Sequence, residues 1–185
     1  FWHGHFTSGL REVDSAEKMY QQNQLFRQHA TDFAALLQRV SKDPAMVRYL
    51  DTDKNVKRKP NENFAREVME LFTLGEGNYT EQDIREAARA FTGWTVDRQS
   101  GEFHERRGQH DGGKKTVFGE TGNWNGDDVL RLLLKQPACA EFLVKKLWRF
   151  FAATEPSAET VDSLAKTLRE SGYQMKPMLR EMFLS

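Results

Sequence analysis

The stretch from Asn61 to Trp94, NENFAREVMELFTLGEGNYTEQDIREAARAFTGW, constrains the fold more than any other part of the chain. Drawn at about 100° per residue, its first half is a helix from about Asn63 to Leu74, with Phe64, Val68, Leu71 and Phe72 on one stripe. Gly75 then stops the helix, because glycine adopts the left-handed conformation that helix ends favour. Thr80 and Asp83 resemble a capping box with Asp in place of Glu and open a second helix through Phe91, ending near Gly93.

Helical signals recur on both sides. Residues 15–40 carry apolar positions at Met19, Leu25, Phe26, Phe33, Leu36, Leu37 and Val40, with a break expected at the polar run 21–24. Asp43-Pro44 is an N-cap followed by proline at the first helical position, starting a short helix through Tyr49. Later helices are expected over 127–135, 137–153, 158–171 and 177–184, with Pro137 and Pro177 in first turns and Gly172 as a stop. Between Trp94 and Asn125 the helical period vanishes and glycine is frequent, with β-prone runs only at 94–96 and 116–118. The expectation is an all-α, multi-helix, bundle-like single domain over 1–185, with one loop-rich insertion at 94–125 carrying a small β-hairpin.

Composition narrows the function classes. Lys+Arg and Asp+Glu both number 27, for a formal net charge of +0, which argues against a dedicated nucleic-acid or anionic-membrane binder. A mean hydropathy of −0.72 and the absence of any long apolar run exclude a membrane-spanning helix in this segment. The single cysteine, Cys139, allows no internal disulfide, and its neighbours Ala138, Ala140 and Phe142 suit a small buried hydrophobe. The chain opens at Phe1, inside the run FWHGHF, and reads as a piece of a longer protein.

Four constellations carry candidate chemistry. Opposite the apolar stripe lie Asn63, Arg66, Glu67 and Glu70, with Asn63/Glu67 and Arg66/Glu70 one turn apart. Two carboxylates at that spacing can share a hard metal ion, or one can hold a raised pKa for acid–base work; a solvated face with an Arg–Glu pair has the same spacing. His3 and His5 would share a face on a strand and chelate one ion, but on a helix they point roughly 200° apart. His110-Asp111, in the glycine-rich loop, suits a metal or acid–base element, or an Asx-type turn. Finally, Asp51, Asp53, Asn55 and Glu62 repeat positions 1, 3, 5 and 12 of a calcium-binding loop. Val56 at the required glycine, the cations Lys57, Arg58 and Lys59, and Pro60 all oppose calcium there. No GxSxG, Walker, GxGxxG or HExxH pattern occurs.

The runs FWHGHF, DPAMVRYLD, PNENFAREVMELFTLGEGNYTEQDIREAARAFTGW, HDGGKKTVFGETGNWNG and PACAEFLVKKLWRFF together resemble the domain-of-unknown-function 1800 family. The resemblance covers essentially the whole chain. It implies the C-terminal portion of a larger bacterial protein, with the N-terminal remainder of that parent as a partner, and a periplasmic or extracellular setting. It implies no agreed reaction. The signature segments contain His3, His5, Asn61, Glu62, Asn63, Arg66, Glu67, Glu70, His110 and Asp111.

Two functions follow as expectations. One is a metal-dependent enzyme, a hydrolase or oxidase, with Glu67, Glu70, Arg66 and His110 as catalytic groups. Its divalent metal would sit on His3, His5, Glu67, Glu70 and Asp111. The alternative is a non-catalytic structural or interaction module in which the same residues form a salt-bridge and capping network. A haem among the helices rests only on the aromatic run FWHGHF.

Overall fold

A computed structural model describes residues 1–97, 99–152 and 154–184 and is mainly helical. Three helices, α1 (Trp2–His5), α2 (Leu10–Val13) and α3 (Ala16–Gln28), lead into α4 (Phe33–Ser41) and α5 (Pro44–Tyr49). The break expected at 21–24 lies instead at 29–32. Asp32 caps α4 there by accepting the Ala35 N–H at 2.9 Å, so the chain restarts its helix where a side chain can satisfy an otherwise open donor. Asp43 caps α5 in the same way, with Pro44 in the first position as expected.

The central helix departs from a straight wheel. It begins as α6 (Asn63–Glu67) and continues as a π-helix over Val68–Thr73, where the Leu74 N–H reaches back to the Met69 carbonyl at 2.7 Å. Each π turn holds more residues than an α turn, so side chains beyond Val68 lag behind the 100° spacing. Leu71 consequently leaves the buried stripe and is 48% exposed, while Met69 moves fully inside. Gly75 follows with φ +77°, as a helix stop should.

The capping box of α7 (Glu81–Ala90) is present, with Thr80 and Asp83 exchanging bonds. After the insertion come α8 (Gly126–Lys135), α9 (Pro137–Phe151), α10 (Ala158–Glu170) and α11 (Met175–Leu184). Pro137 opens α9, whereas Pro177 sits third in α11. The expected end of the α9 segment, Ala153, lies outside the described residues, as do Arg98 in the insertion and Ser185 at the end of the expected domain. The helix α9 packs on α8, α10 and the π segment, and α10 packs on α11. Cys139 is fully buried among them, and burial pushes its thiol up to about 12, so it acts as a small hydrophobe.

The all-α expectation needs correcting at the insertion, which holds two hairpins rather than one. Strand β1 (Trp94–Val96) pairs antiparallel with β2 (Phe103–Glu105), and β3 (Lys115–Val117) with β4 (Glu120–Gly122). The missed signal was Phe118-Gly119: both have positive φ, 50° and 77°, the requirement of a two-residue hairpin turn. Glycine at the second position is usual, but phenylalanine at the first is not, so the turn is hard to read from residue type.

Each hairpin is anchored by a different physical means. Trp94 in β1 packs edge-on against Phe91 and Phe103 inside the core. The β3–β4 hairpin is tied to α7 instead: the Phe118 N–H donates to Asp83 at 2.7 Å and the Thr116 N–H to Glu86 at 3.1 Å. Between α7 and β1, Gly93 has φ +88°, donates its N–H to Asn55 and accepts from the Arg106 N–H. A Cβ at Gly93 would lie 2.7 Å from the Arg106 carbonyl oxygen. Gly93→Ala should therefore destabilise by about 2 kcal/mol or more, from left-handed strain plus a backbone clash. Urea unfolding of the variant measures this, and a loss below about 0.5 kcal/mol would contradict the close approach.

Candidate functional site

The polar face of the central helix divides in two. Arg66 turns away from its neighbouring carboxylates and grips Glu81 of α7 through both terminal nitrogens at 2.8 Å, with Glu62 at 3.5 Å. The fork-to-carboxylate geometry holds the Glu81 carboxyl below its usual range. Glu70 accepts the Tyr79 hydroxyl at 2.6 Å. Burial, followed by that bond to Glu70, pushes the Tyr79 phenol up to about 12. Arg66 and Glu70 thus serve the junction between the central helix and α7.

Asn63 and Glu67 face the other way, into a cavity of about 620 Å³ that His5, Leu71, Phe72 and Lys146 also line. The π turn brings Leu71 into line with Asn63 and Glu67 on this wall. Among the described residues Glu67 has no hydrogen-bond or ion-pair partner. Burial raises its carboxyl, the Glu70 charge adds to the rise, and Arg66 opposes it. The Asn63 amide nitrogen donates to the Leu50 carbonyl at 3.1 Å, which leaves the amide oxygen as the outward acceptor.

Two consecutive carbonyls at the end of the π segment complete the wall. His5 Nε2 lies 3.0 Å from the Phe72 oxygen, and Lys146 Nζ lies 3.2 Å from the Leu71 oxygen. Carbonyls at a helix C-terminus lack intrahelical donors, so both side chains satisfy groups that would otherwise stay open. A carbonyl only accepts, so His5 carries its proton on Nε2 and presents Nδ1 as an acceptor. Nδ1 is buried and has no partner. Burial, with the nearby Lys146 charge second, lowers the imidazole to about 3, so His5 is neutral near neutral pH. Burial also lowers the Lys146 ammonium.

The remaining candidates lie elsewhere. His3 and His5 sit on a helix, the arrangement that separates their rings; His3 is exposed at the edge of Phe26 while His5 is buried. His110 Nδ1 lies 3.0 Å from the Thr92 carbonyl oxygen. Asp111 is bound by Arg89 at 2.7 Å and accepts the Gly113 N–H at 2.9 Å, so the Asx-type turn is present. Arg89 is the main cause of the depressed Asp111 carboxyl. The calcium-like residues do not converge: Asp51 pairs with Lys54, buried Asn55 bonds the Ala88 carbonyl and the Asn61 N–H, and Glu62 faces Arg66. Among the described residues no three His, Cys, Asp or Glu side chains gather so as to hold a metal ion.

The family described as "Protein of unknown function (DUF1800)" matches residues 1–185, the whole chain. The chain belongs to that family. No curated protein and no solved structure matches it. In this DUF1800 chain, the residues that sequence reasoning passed over are Tyr79, Glu81, Glu86, Arg89, Lys115 and Lys146. Only Glu86/Arg89, at i,i+3 on one helix, left a local signal. Lys115 is 1% exposed, with its ammonium on the Asp111 and Gly113 carbonyls, a placement no local pattern announces.

Glu67 has a raised carboxyl, so folding disfavours its ionised form relative to the unfolded chain. Its contribution to stability is fully present below the unfolded carboxylate pKa and is lost as pH rises through the folded value. Glu67→Gln should match the parent near pH 4 and become more stable than it by about 0.5 kcal/mol or less at pH 7, since solvent screens a half-exposed group. Thermal unfolding at both pH values reads the difference, and a destabilised variant at pH 7 would mean that Glu67 has a structural partner.

Proposed function

We propose that this domain is a non-catalytic structural or interaction module, in which most of the conspicuous polar residues form a salt-bridge and capping network. The observation that carries the reading is the occupancy of those groups. Arg66 is taken by Glu81, Glu70 by Tyr79, Asp111 by Arg89, and His110 by the Thr92 carbonyl. Each bond joins two different segments, so the network fastens the central helix to α7 and α7 to the insertion. The resemblance to large bacterial proteins that are often exported supplies a setting outside the cytoplasm, where such a module would present a surface or assemble with the rest of its parent. Among the described residues no helix is long and apolar enough to cross a membrane.

The second reading, a metal-dependent hydrolase or oxidase, keeps one observation in its favour: Glu67 and His5 line one cavity while Glu67 stays unpaired. It needs further ligands beyond those two, because His3, Glu70 and Asp111 are directed elsewhere. Added Zn, Mn, Ca or Mg should leave the melting temperature unchanged; a rise of several degrees with one of them would favour the enzyme.

The network reading makes a quantitative demand. Asp111→Ala removes the acceptor of Arg89 and of the Gly113 N–H and should destabilise by about 1–2 kcal/mol. A double-mutant cycle with Arg89→Ala should return a coupling of about 0.5 kcal/mol or more. Additive single effects would show that the pair contributes nothing to the fold.

A further inference from the structure

The cavity beside the π segment is lined by two carboxylates, Glu67 and Glu12, and one ammonium, Lys146, and among the described residues neither Glu67 nor Lys146 has an ion-pair partner. Among the described residues Glu67 has no hydrogen-bond partner, and the one hydrogen bond of the Lys146 ammonium goes to the Leu71 carbonyl, with the Phe142 ring 5.0 Å away. Their separation exceeds ion-pair distance, because Lys146 is held on the helix end and Glu67 lies one turn back along the same helix. Elsewhere the fold pairs such groups closely, as in Arg66 with Glu81, Arg89 with Asp111 and Lys42 with Asp127. Leaving both charges open in one concave site costs desolvation that a pair would have offset.

Leu71, Phe72, Leu50 and Tyr49 supply the apolar part of the same wall. Beside Glu67 the Asn63 amide oxygen adds a neutral acceptor, and the Glu12 carboxylate stands at the rim. His5 also lines the cavity, but its Nδ1 is buried away from the open space and accepts from no group among the described residues. The site therefore offers carboxylates at Glu67 and Glu12, an ammonium at Lys146, the Asn63 amide and some apolar wall, in a volume within the usual range for small-ligand sites.

We propose that this cavity binds a small zwitterion of amino-acid or dipeptide size, its ammonium at Glu67 and its carboxylate at Lys146. Asn63 accepts a second N–H of the ammonium end. A simple amine would leave Lys146 unpaired, and a simple carboxylate would leave Glu67 so. The ligand bridges what the two side chains cannot bridge themselves, and an apolar side chain of the ligand lies on Leu71 and Phe72. None of the network residues at Arg89, Asp111 or Glu81 touches this cavity, so the proposal and the network reading fail separately.

Isothermal titration of the 185-residue chain with leucine, Leu-Leu, N-acetyl-Leu-Leu and Leu-Leu amide tests this. One of the two zwitterions should bind with one-to-one stoichiometry, which also separates an amino-acid site from a dipeptide site. Acetylation or amidation should weaken binding at least about ten-fold, roughly the value of one charge-assisted contact. In Glu67→Gln the penalty for acetylation should disappear, and in Lys146→Met the penalty for amidation. Lys146→Arg, which keeps the cation if the methionine variant folds poorly, should retain zwitterion binding. Equal binding of a blocked and an unblocked peptide would overturn the proposal, as would no binding by either zwitterion or unchanged penalties in both variants.

Discussion

Two consecutive carbonyl groups at the C-terminal end of the central helix take side-chain donors from distant parts of the chain, and these bonds tie α1 and α9 to that helix. The donors come from those helices: His5 from α1 to Phe72 and Lys146 from α9 to Leu71. Two contacts on adjacent carbonyls thereby join α1, the central helix and α9. They also explain the chemical state of His5, since a neutral imidazole with its proton on Nε2 is the form that can donate to a carbonyl while buried. The π turn lies at the same place, and Leu71 there is half exposed on the cavity wall beside these carbonyls.

The polar face of the central helix is divided between two tasks. Arg66 and Glu70 belong to the junction with α7, where a bidentate ion pair and a short hydroxyl–carboxylate bond fix the angle between two helices. Asn63 and Glu67 belong to the cavity. Residues one helical turn apart thus share an environment, while the adjacent Arg66 and Glu67 meet different ones because they lean to different sides of one axis. The insertion is organised in a comparable way. The capping box at Asp83 satisfies the start of α7 with one oxygen and receives the Phe118 N–H of the second hairpin with the other. A local device that ends one element is reused to dock another.

Much of the architecture was legible in the sequence because its signals are local. Helix caps at Asp43, Thr80 and Asp83, stops at Gly75 and Gly93, and the glycine-rich change of character at Trp94 each depend on a few neighbouring residues. The site was less legible. Glu67 and Glu70 were readable as a pair one turn apart, but a π turn after Val68 rotates everything beyond it, and no residue type specifies that turn. The partner of Arg66 is Glu81, in the next helix, and the partner of Asp111 is Arg89, further still from its loop. Such pairings depend on how helices pack, which spacing within one helix does not encode. The β-prone runs at 94–96 and 116–118 do fall on strands β1 and β3, but that each pairs in its own hairpin escaped for a related reason, since each three-residue strand is held by anchors in other segments more than by its own β-propensity.

By itself the sequence determined a mainly helical chain of balanced charge, the membership of the DUF1800 family, the caps that begin and end its helices, and the set of polar residues grouped on the central helix. Those properties follow from contacts within a few residues or from the pattern of the whole chain. Only the tertiary structure decided which of the polar groups are neutralised and which are left open. Lys146, distant in sequence, arrives beside His5 at the end of the helix that carries Glu67, while Glu81 draws Arg66 away from it. A charge is free or paired according to what packs within a few ångströms, and that distance is set by the crossing of helices rather than by the order of residues along any one of them.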